Sequence, residues 1–173
     1  SNELFGRIHQ QVYPTPILSA LFEGPMEKGR DLIDGGAALN SSGIAIIGLA
    51  DVADSLTALE TLIYREGRID FAGFLDALRK NYAGYDWLIT RLRDPHRTPR
   101  FGNDDSQADA NAVWLVETIE ESLRGKVNYR GGNYRPGYWT MTNHAGFGRL
   151  LGATPNGRKA GENFSSGITP NSG

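Results

Sequence analysis

The stretch LADVADSLTALETLI, residues 49–63, carries the strongest helical pattern in the chain. Its apolar side chains recur at steps of three and four residues, which places them on one face of an α-helix. Asp51, Asp54 and Glu60 stand between the apolar positions, and Gly67 marks the expected end of the helix. The apolar positions are Leu49, Val52, Ala53, Leu56, Leu59 and Ile63. We expect this helix to bury its apolar face in a core.

The residues before this helix predict a shorter one. Pro14 and Pro16 punctuate the start, and an apolar stripe at helical spacing follows them as far as about Lys28. Residues 34–36 then interrupt the pattern, and residues 40–43 are typical of a turn or a helix cap. We therefore expect one short helix and an irregular connection ahead of the long helix.

Three further helices are expected after it. Asp70 can cap the first, and residues 85–92 predict the second, which ends before a proline. Asp104 or Asp105 can cap a long third helix that closes at Gly125. The apolar face expected for that long helix consists of Ala112, Val113, Val116, Ile119 and Leu123. Helices therefore account for most of the expected regular structure.

Residues 138–142, YWTMT, change the pattern to aromatic and β-branched side chains, which favour a β-strand. From Asn143 to Gly173 glycine recurs so often that little regular structure is expected. Because one strand cannot form a sheet, we expect its neighbours to lie in protein outside these residues. The sequence therefore predicts a mostly helical segment with one or two short strands and long ordered loops.

The composition excludes several classes of function. The chain has 173 residues, enough for one domain or one piece of a larger one, and we interpret its start, Ser1-Asn2, as a tag-cleavage scar. It has no cysteine, which excludes disulfides, thiolate metal sites and thiol catalysis for these residues. A net charge of -2 and the lack of a long apolar run predict neither a nucleic-acid partner nor a membrane span. Two short basic patches are visible, Arg91–Arg100 and Arg124–Arg135.

The polar residues offer few metal or phosphate sites. His9, His96 and His144 are too far apart in sequence to form a ligand pair on one element, so no metal site is expected. The acidic run 103–105 fits helix capping better than a cation-binding loop. Residues 152–161 match neither of the common phosphate-binding patterns, so loop geometry explains their glycines better than an anion does.

Arg135 and His144 lie on either side of the expected strand, and their roles stay open at this point. Arg135 can pair with a carboxylate, phosphate or sulfonate, but a surface or structural role is comparably favoured. His144 can act as an acid, as a hydrogen-bond donor to substrate or as a satisfied polar residue, and the last of these is favoured.

Five stretches, taken together, resemble one enzyme family. They are Tyr13–Ala20, Lys28–Asp31 with Gly35–Ala37, Ala50–Leu56, Gly102–Asp105 and Gly152–Glu162. In this order they resemble the glycyl radical enzymes of the pyruvate formate-lyase type, and the resemblance covers nearly the whole chain. The tail is more similar to the lyase and dehydratase branches than to the acyltransferase that cleaves pyruvate.

This resemblance implies an α/β fold, namely part of a ten-stranded β/α barrel that encloses two finger loops. In the family, one finger carries a cysteine that becomes a thiyl radical, and the other carries the glycine that stores the radical. The cysteine motif precedes the matched region and the glycine motif follows it. The resemblance therefore implies that residues 1–173 are a single segment between the two loops. We expect this chain alone to be inactive and to hold no catalytic, cofactor or metal residue.

The resemblance also implies that the strand at 138–142 is a barrel stave that lines the substrate pocket. On such a strand Trp139 and Met141 share one face, and His144 lies on the other. Sulfonate lyases of the family hold the anionic group with an arginine four residues before an aromatic, a spacing that Arg135 and Trp139 fit. The residues after Arg135 also resemble members with uncharged substrates. On this basis we expect Arg135, Trp139, Met141 and His144 to bind substrate.

Two functions follow from the resemblance. In the first, the parent protein is a glycyl radical enzyme that cleaves a C–C, C–O, C–N or C–S bond of a small substrate. A carbon–sulfur lyase, a diol or hydroxyproline dehydratase and an arylacetate decarboxylase all stay open. In the second, the chain is a stand-alone, non-catalytic binding or structural module that descends from the family. A cysteine motif upstream and a glycine signature downstream in the source reading frame would distinguish the first from the second.

The first function implies particular partners and a location. The partners are the remainder of the barrel, a small-molecule substrate, and a radical S-adenosylmethionine activating enzyme that installs the glycyl radical. A homodimer is one of the assemblies that the resemblance allows. The expected location is the cytoplasm, with a bacterial microcompartment as an alternative.

Overall fold

The computed structural model describes residues 2–170, so the predicted scar at Ser1-Asn2 lies in part outside the described residues. The helices are α1 (Asn2–Val12), α2 (Pro16–Ser19), α3 (Pro25–Lys28), α4 (Leu49–Leu59), α5 (Phe71–Arg79), α6 (Asp86–Arg93), α7 (Ser106–Leu123) and α8 (Asn143–Leu150). A 3₁₀ turn spans Leu32–Asp34, a π-helical turn continues α4 over Glu60–Arg65, and the strands are β1 (Ser42–Ile46) and β2 (Tyr134–Tyr138). None of the helices in this range is long and apolar enough to cross a membrane.

These residues fall into two compact units. The first unit contains residues 2–44 and 119–137, and the second contains residues 45–118 and 138–170. The expected mixture of many helices with one or two strands is confirmed.

In the first unit, the helix expected as far as Lys28 is instead two short helices, α2 and α3. Gly24 lies between them with a φ of 103°, and a Cβ at that position would lie 2.7 Å from the carbonyl oxygen of Gly36. Pro16 and Pro25 each begin a helix, where the missing N–H of proline costs no hydrogen bond. The apolar residues keep their helical spacing across Gly24, where only glycine fits. The spacing alone therefore does not reveal the break between α2 and α3. Helix α1 has no counterpart in the sequence prediction.

The two strands form a parallel sheet, with the Ser42 N–H donating to the Asn133 carbonyl oxygen at 3.0 Å. The predicted strand at 138–142 is wrong by four residues, because β2 ends at Tyr138. Pro136 and Gly137 usually interrupt strands, so the sequence pattern favoured the aromatic run that follows them. Proline is tolerated here because β2 has β1 as its one neighbour within the described residues. Strand β1 was not predicted for a similar reason, since it begins with Ser42 and Gly43, which are typical of turns.

The core of the second unit joins α4, its π-helical continuation, α5 and α6. Its buried residues are Ala58, Leu62, Phe74, Ala77, Tyr82, Leu88 and Leu92. The expected bounds of these helices are confirmed, and Asp70 caps α5 by accepting a hydrogen bond from the Gly73 N–H at 2.8 Å. Asp105 caps α7 in the same way through the Gln107 N–H at 3.0 Å.

The faces of two helices differ from the prediction. In α4 the side chains of Asp51 and Asp54 are both buried, whereas Val52 is 46% exposed. In α7 the buried residues are Ala108 and Ala112, and Val113 is exposed. In both helices the buried face is lined by small or hydrogen-bonded side chains, which a hydrophobic pattern does not recognise.

The expectation of little regular structure after residue 143 is wrong for α8 and confirmed beyond it. Helix α8 contains Gly146 and Gly148, residues that lower helix propensity and so hide it in the sequence. Gly148 is required by packing, because a Cβ there would lie 2.4 Å from the carbonyl oxygen of Glu162. From residue 151 to residue 170 the chain has neither helix nor strand.

Candidate functional site

Arg135 lies in the first unit, at the second position of β2, with an exposed side chain. It lines two concavities of that unit. One, of about 250 Å³, also contains Glu120 and Arg124, and the other, of about 410 Å³, is formed with residues 38–41 and 131–133. Arg135 thus has room beside it for an anionic group, which a guanidinium binds with paired N–H donors.

Trp139 and Met141 lie just beyond β2, in the second unit, and are 48% and 71% exposed. Met141 has a φ of 48°, in the left-handed region that residues with side chains rarely adopt. The alternation of faces along a strand does not extend past Tyr138. The shared face that the sequence predicts for Trp139 and Met141 therefore has no basis in the structure.

Thr140, between these two residues, has a structural role that the sequence did not reveal. Its side chain is buried, and its Oγ1 accepts a hydrogen bond from the Gly167 N–H at 3.0 Å. This bond joins the residues just after β2 to Gly167, which lies 27 positions further along the chain. Thr140 therefore fixes the backbone from which Trp139 and Met141 project.

His144 lies in the first turn of α8 and is half-buried. Its Nδ1 is buried and has no hydrogen-bond partner among the described residues. Its main-chain carbonyl accepts a hydrogen bond from the Phe164 N–H at 3.3 Å. Buried polar atoms in proteins are nearly always hydrogen-bonded, and Nδ1 of His144 is one of the exceptions.

The four predicted site residues therefore do not belong to one unit. Arg135 lies in the first unit, whereas Trp139, Met141 and His144 lie in the second. Their combined use as a substrate site stays a prediction.

Arg158 holds together the tail loop, defined here as residues 152–165. Its guanidinium, 5% exposed, donates to four main-chain carbonyl oxygens and lies 4.3 Å from the centre of the Phe164 ring. The four acceptors are Glu162 at 2.7 Å, Lys159 at 3.1 Å, Gly148 at 3.3 Å and Gly152. These contacts show that Arg158 fixes the backbone of the tail loop.

Glu162 joins the tail loop to α6. Its two carboxylate oxygens accept hydrogen bonds from Nη2 of Arg93 at 2.9 and 2.7 Å, and one also accepts from the Lys159 N–H at 2.8 Å. Partial burial pushes the pKa of Glu162 upward, but the Lys159 N–H and Arg93 outweigh it and hold the pKa below its ordinary value. Glu162 is therefore ionised and bonded at neutral pH.

Asp51 attaches the tail loop to α4. Asp51 is 2% exposed, and its carboxylate accepts hydrogen bonds from two residues of the tail loop. The donors are the Asn156 side-chain amide at 3.1 Å, the Ser165 N–H at 2.8 Å and the Ser165 hydroxyl at 2.7 Å. The bonded residues are more than 100 positions from Asp51 in the sequence. This carboxylate therefore serves as a long-range anchor.

Asp54 lies one helical turn further along and binds the connector between α6 and α7. One oxygen accepts a hydrogen bond from the Phe101 N–H at 2.7 Å, and the other lies 3.9 Å from Nη1 of Arg100. Burial raises the pKa of Asp54 to about 6, although the Phe101 N–H and Arg100 partly oppose the shift. Arg100 also donates to the carbonyl oxygens of Leu92 and Asn156, at 2.8 and 3.0 Å. Asp51, Asp54 and Arg100 thus join α4, the connector and the tail loop.

Sequence reasoning placed Asp51 and Asp54 between the apolar positions of α4 and missed their burial. One signal could have identified them. They share a face with Ala50, Ala53 and Thr57, and such a row of small side chains leaves room for other parts of the chain to approach closely.

A largely apolar concavity of about 500 Å³ lies in the second unit, where the chain leaves β1 and enters α4. It is lined by Ile47, Val52, Phe147, Leu151 and Phe164, with Asp51 and Thr154 among its polar members. Ligand sites in folds with parallel strands commonly lie at the carboxyl ends of those strands. This concavity is therefore the candidate pocket wall of the second unit. No cluster of metal-binding side chains occurs in residues 2–170.

A comparison with known families and curated proteins gave strong matches. The family model described as pyruvate formate lyase-like matches residues 1–148. The trans-4-hydroxy-L-proline dehydratase of Clostridioides difficile is 32% identical over 99% of this chain. The (2S)-3-sulfopropanediol dehydratase of Klebsiella oxytoca is 31% identical over 98%. The chain spans 22% and 20% of the length of these two relatives, about a fifth.

Solved structures gave the same result. The B12-independent glycerol dehydratase from Clostridium butyricum superposes with a TM-score of 0.91 at 31% identity, covering 97% of this chain and 21% of that protein. A glycyl radical enzyme from Archaeoglobus fulgidus has a TM-score of 0.89 at 37% identity, covering 98% of this chain and 21% of that protein. These likenesses confirm the expected fold class, a fragment of a β/α barrel.

Proposed function

Because the chain belongs to the pyruvate formate lyase-like family of glycyl radical enzymes, we propose that its parent protein is a dehydratase or lyase of a small hydroxylated substrate. The observation that carries this proposal is the likeness of 97–99% of the chain to proteins named for dehydrating glycerol, 1,2-propanediol and hydroxyproline. Each of those substrates bears a hydroxyl group that leaves as water. The proposed reaction class is therefore radical elimination of a hydroxyl or another leaving group.

The chain itself contributes scaffold and pocket wall rather than the radical. It contains no cysteine, so the residue that abstracts hydrogen from substrate lies elsewhere in the parent. What the chain supplies is a set of rigidly held loops. Asp51 and Arg158 fix the tail loop through buried hydrogen bonds, which keeps its backbone in one conformation.

Within that scaffold, Arg135 would hold an anionic group of the substrate, and Trp139 and Met141 would provide apolar contact. His144 would hydrogen-bond a substrate hydroxyl through its imidazole ring. The sulfopropanediol dehydratase, a relative at 31% identity, is named for a substrate with a sulfonate group, which suits an arginine. An uncharged polyol would leave Arg135 in a structural role.

The proposed partners are the remainder of the barrel, the small-molecule substrate and an activating enzyme that installs the glycyl radical. A homodimer and a cytoplasmic or microcompartment location belong to the same proposal. The activating enzyme is required because a glycyl radical does not form on its own within a folded protein.

The test uses the full-length parent, activated without oxygen and assayed with glycerol, 1,2-propanediol, trans-4-hydroxy-L-proline and 3-sulfopropanediol. We expect an organic radical signal by electron paramagnetic resonance and elimination from at least one of these substrates. The 173-residue chain, treated in parallel, should give neither. A parent without a radical signal would favour the alternative, a non-catalytic module, and a radical on the isolated chain would contradict the proposed division of roles.

A further inference from the structure

The basic patch Arg91–Arg100 divides into two groups within the second unit. Arg93 and Arg100 donate hydrogen bonds to the tail loop, at Gly157, Glu162 and Asn156. Arg91 and Arg97 instead line a separate concavity of about 350 Å³ together with Arg68. The wall of this concavity consists of these three arginines. The function proposed above makes no use of it.

Two carboxylates hold these arginines without neutralising them. Glu66 accepts from Nη2 of Arg91 at 2.5 Å, and its other oxygen lies 3.2 Å from Nε of Arg68. Asp94 lies 3.2 Å from Nε of Arg97. Three guanidinium groups against these two carboxylates leave a local charge of about +1, which favours an anion.

Arg91 is the most buried of the three arginines. Its side chain is 16% exposed, and Glu66 divides its negative charge between Arg91 and Arg68. Its Nε is buried and has no hydrogen-bond partner among residues 2–170. A half-compensated cation in a partly desolvated place attracts an anion more strongly than a solvated arginine does.

We propose that the concavity of Arg68, Arg91 and Arg97 binds a phosphate group, either the free ion or the phosphate of a small phosphorylated molecule. Planar guanidinium groups donate paired hydrogen bonds to phosphate oxygens. A phosphate carries close to two negative charges at neutral pH and three acceptor oxygens, so it can engage several guanidinium groups at once. A carboxylate has one charge and two oxygens, and it matches three arginines less well.

The expected binding is weak and sensitive to salt. Arg68 and Arg97 have side-chain exposures of 64% and 68%, so much of their charge is screened by water and ions. Pyrophosphate is therefore the best probe, because it presents more charge to the same three groups. Low ionic strength is the appropriate condition.

The experiment titrates the chain with pyrophosphate by isothermal calorimetry. We expect saturable binding that weakens at least about fivefold in Arg68→Gln and in Arg97→Gln, since each loses a charged donor. Arg30→Gln is the matched control, because Arg30 is also exposed and is also paired with a nearby aspartate, Asp34. That control should change the affinity by less than about twofold. Unchanged thermal unfolding of the variants would exclude a folding defect.

A variant that should gain affinity makes the test sharper. Asp94→Asn removes a competing negative charge and keeps the oxygen that accepts from the His96 N–H, so it should tighten pyrophosphate binding. Orthophosphate and adenosine monophosphate are titrated in parallel, and tighter binding of the nucleotide would assign a phosphorylated molecule rather than the free ion. The proposal is overturned by absence of saturable binding, by equal losses in Arg30→Gln, or by acetate that binds as tightly as pyrophosphate. None of these results bears on radical chemistry in the parent.

Discussion

At the residue scale, Asp51 and Asp54 show how position along one helix face decides which groups a buried carboxylate contacts. Asp51 accepts three hydrogen bonds, which replace the hydration lost on burial. Asp54 accepts one from the Phe101 N–H and has Arg100 at 3.9 Å, a distance beyond a hydrogen bond. The desolvation of Asp54 is therefore compensated less well, and its pKa rises to about 6.

This raised pKa predicts a pH dependence of stability. Between the ordinary value of 3.8 and about 6, folded protein keeps a proton on Asp54 that the unfolded chain has lost. The contribution of Asp54 to stability is therefore present at low pH, decreases as pH rises through this window and is constant above it. The free energy of unfolding of the wild type relative to Asp54→Asn should fall by about 1 to 3 kcal/mol from pH 4 to pH 7. Urea unfolding at each pH measures this difference, and a difference that does not vary with pH would contradict the assignment.

Arg135 gives a second prediction at this scale. If Arg135 forms a buried ion pair with an anionic substrate in the full-length parent, Arg135→Ala should raise the Michaelis constant for that substrate by the equivalent of about 2 to 5 kcal/mol. Lys126→Ala serves as the control, because Lys126 is also an exposed cation of the first unit. An uncharged substrate such as glycerol should be insensitive to either change. An unchanged Michaelis constant for the anionic substrate would show that Arg135 has a structural role instead.

At the scale of single elements, α8 is a helix that exists in spite of its own propensity. Two of its eight residues are glycines, which favour the unfolded chain. The tail loop explains the helix, because Arg158 donates to the Gly148 carbonyl oxygen and the Phe164 N–H donates to the His144 carbonyl oxygen. Tertiary contacts therefore stabilise α8 where local preference does not.

The two glycines of α8 allow a matched pair of substitutions. A Cβ at Gly146 would have no atom within 4 Å, whereas one at Gly148 would lie 2.4 Å from the Glu162 carbonyl oxygen. Gly146→Ala should therefore raise the free energy of unfolding by about 0.5 to 1 kcal/mol through helix propensity. Gly148→Ala should lower it by about 1 to 3 kcal/mol, because the tail loop must move away. Thermal unfolding of both variants tests this, and a gain in stability in both would show that the tail loop does not press on α8.

At the scale of the whole molecule, the chain exposes many large apolar side chains. Ile17, Leu21 and Leu39 are 84%, 79% and 89% exposed, and all three lie in the first unit. Large apolar patches on a protein surface usually mark an interface. The chain covers about a fifth of the length of its relatives, and under the function proposed above the remainder of the parent barrel would cover this surface.

The exposed apolar surface predicts how the isolated chain behaves. It should bind the dye ANS, and the double variant Ile17→Ser with Leu21→Ser should bind less dye while its free energy of unfolding changes by less than about 0.5 kcal/mol per site. The contrasting control is Leu62→Ala in the core, which should cost about 2 to 5 kcal/mol. Equal losses of stability in the double variant would show that Ile17 and Leu21 are part of a core.

The sequence by itself determined the helices from α4 to α7 and the positions that cap α5 and α7. Asp70 was identifiable, and Asp105 was one of two candidates for the cap of α7, because a cap and the helix that it begins lie within four residues, so the information is local. The family was also identifiable, because five short stretches in a fixed order are a property of the sequence alone.

The tertiary structure alone decided the position of β2, the existence of α8 and the burial of Asp51 and Asp54. In each case the cause lies far away in the sequence. The partner of β2 is β1, about 90 residues earlier, and the donors to Asp51 lie 105 and 114 residues away. Local pattern cannot report such contacts, because the free energy of burying a carboxylate or pairing a strand depends on groups that only folding brings within reach.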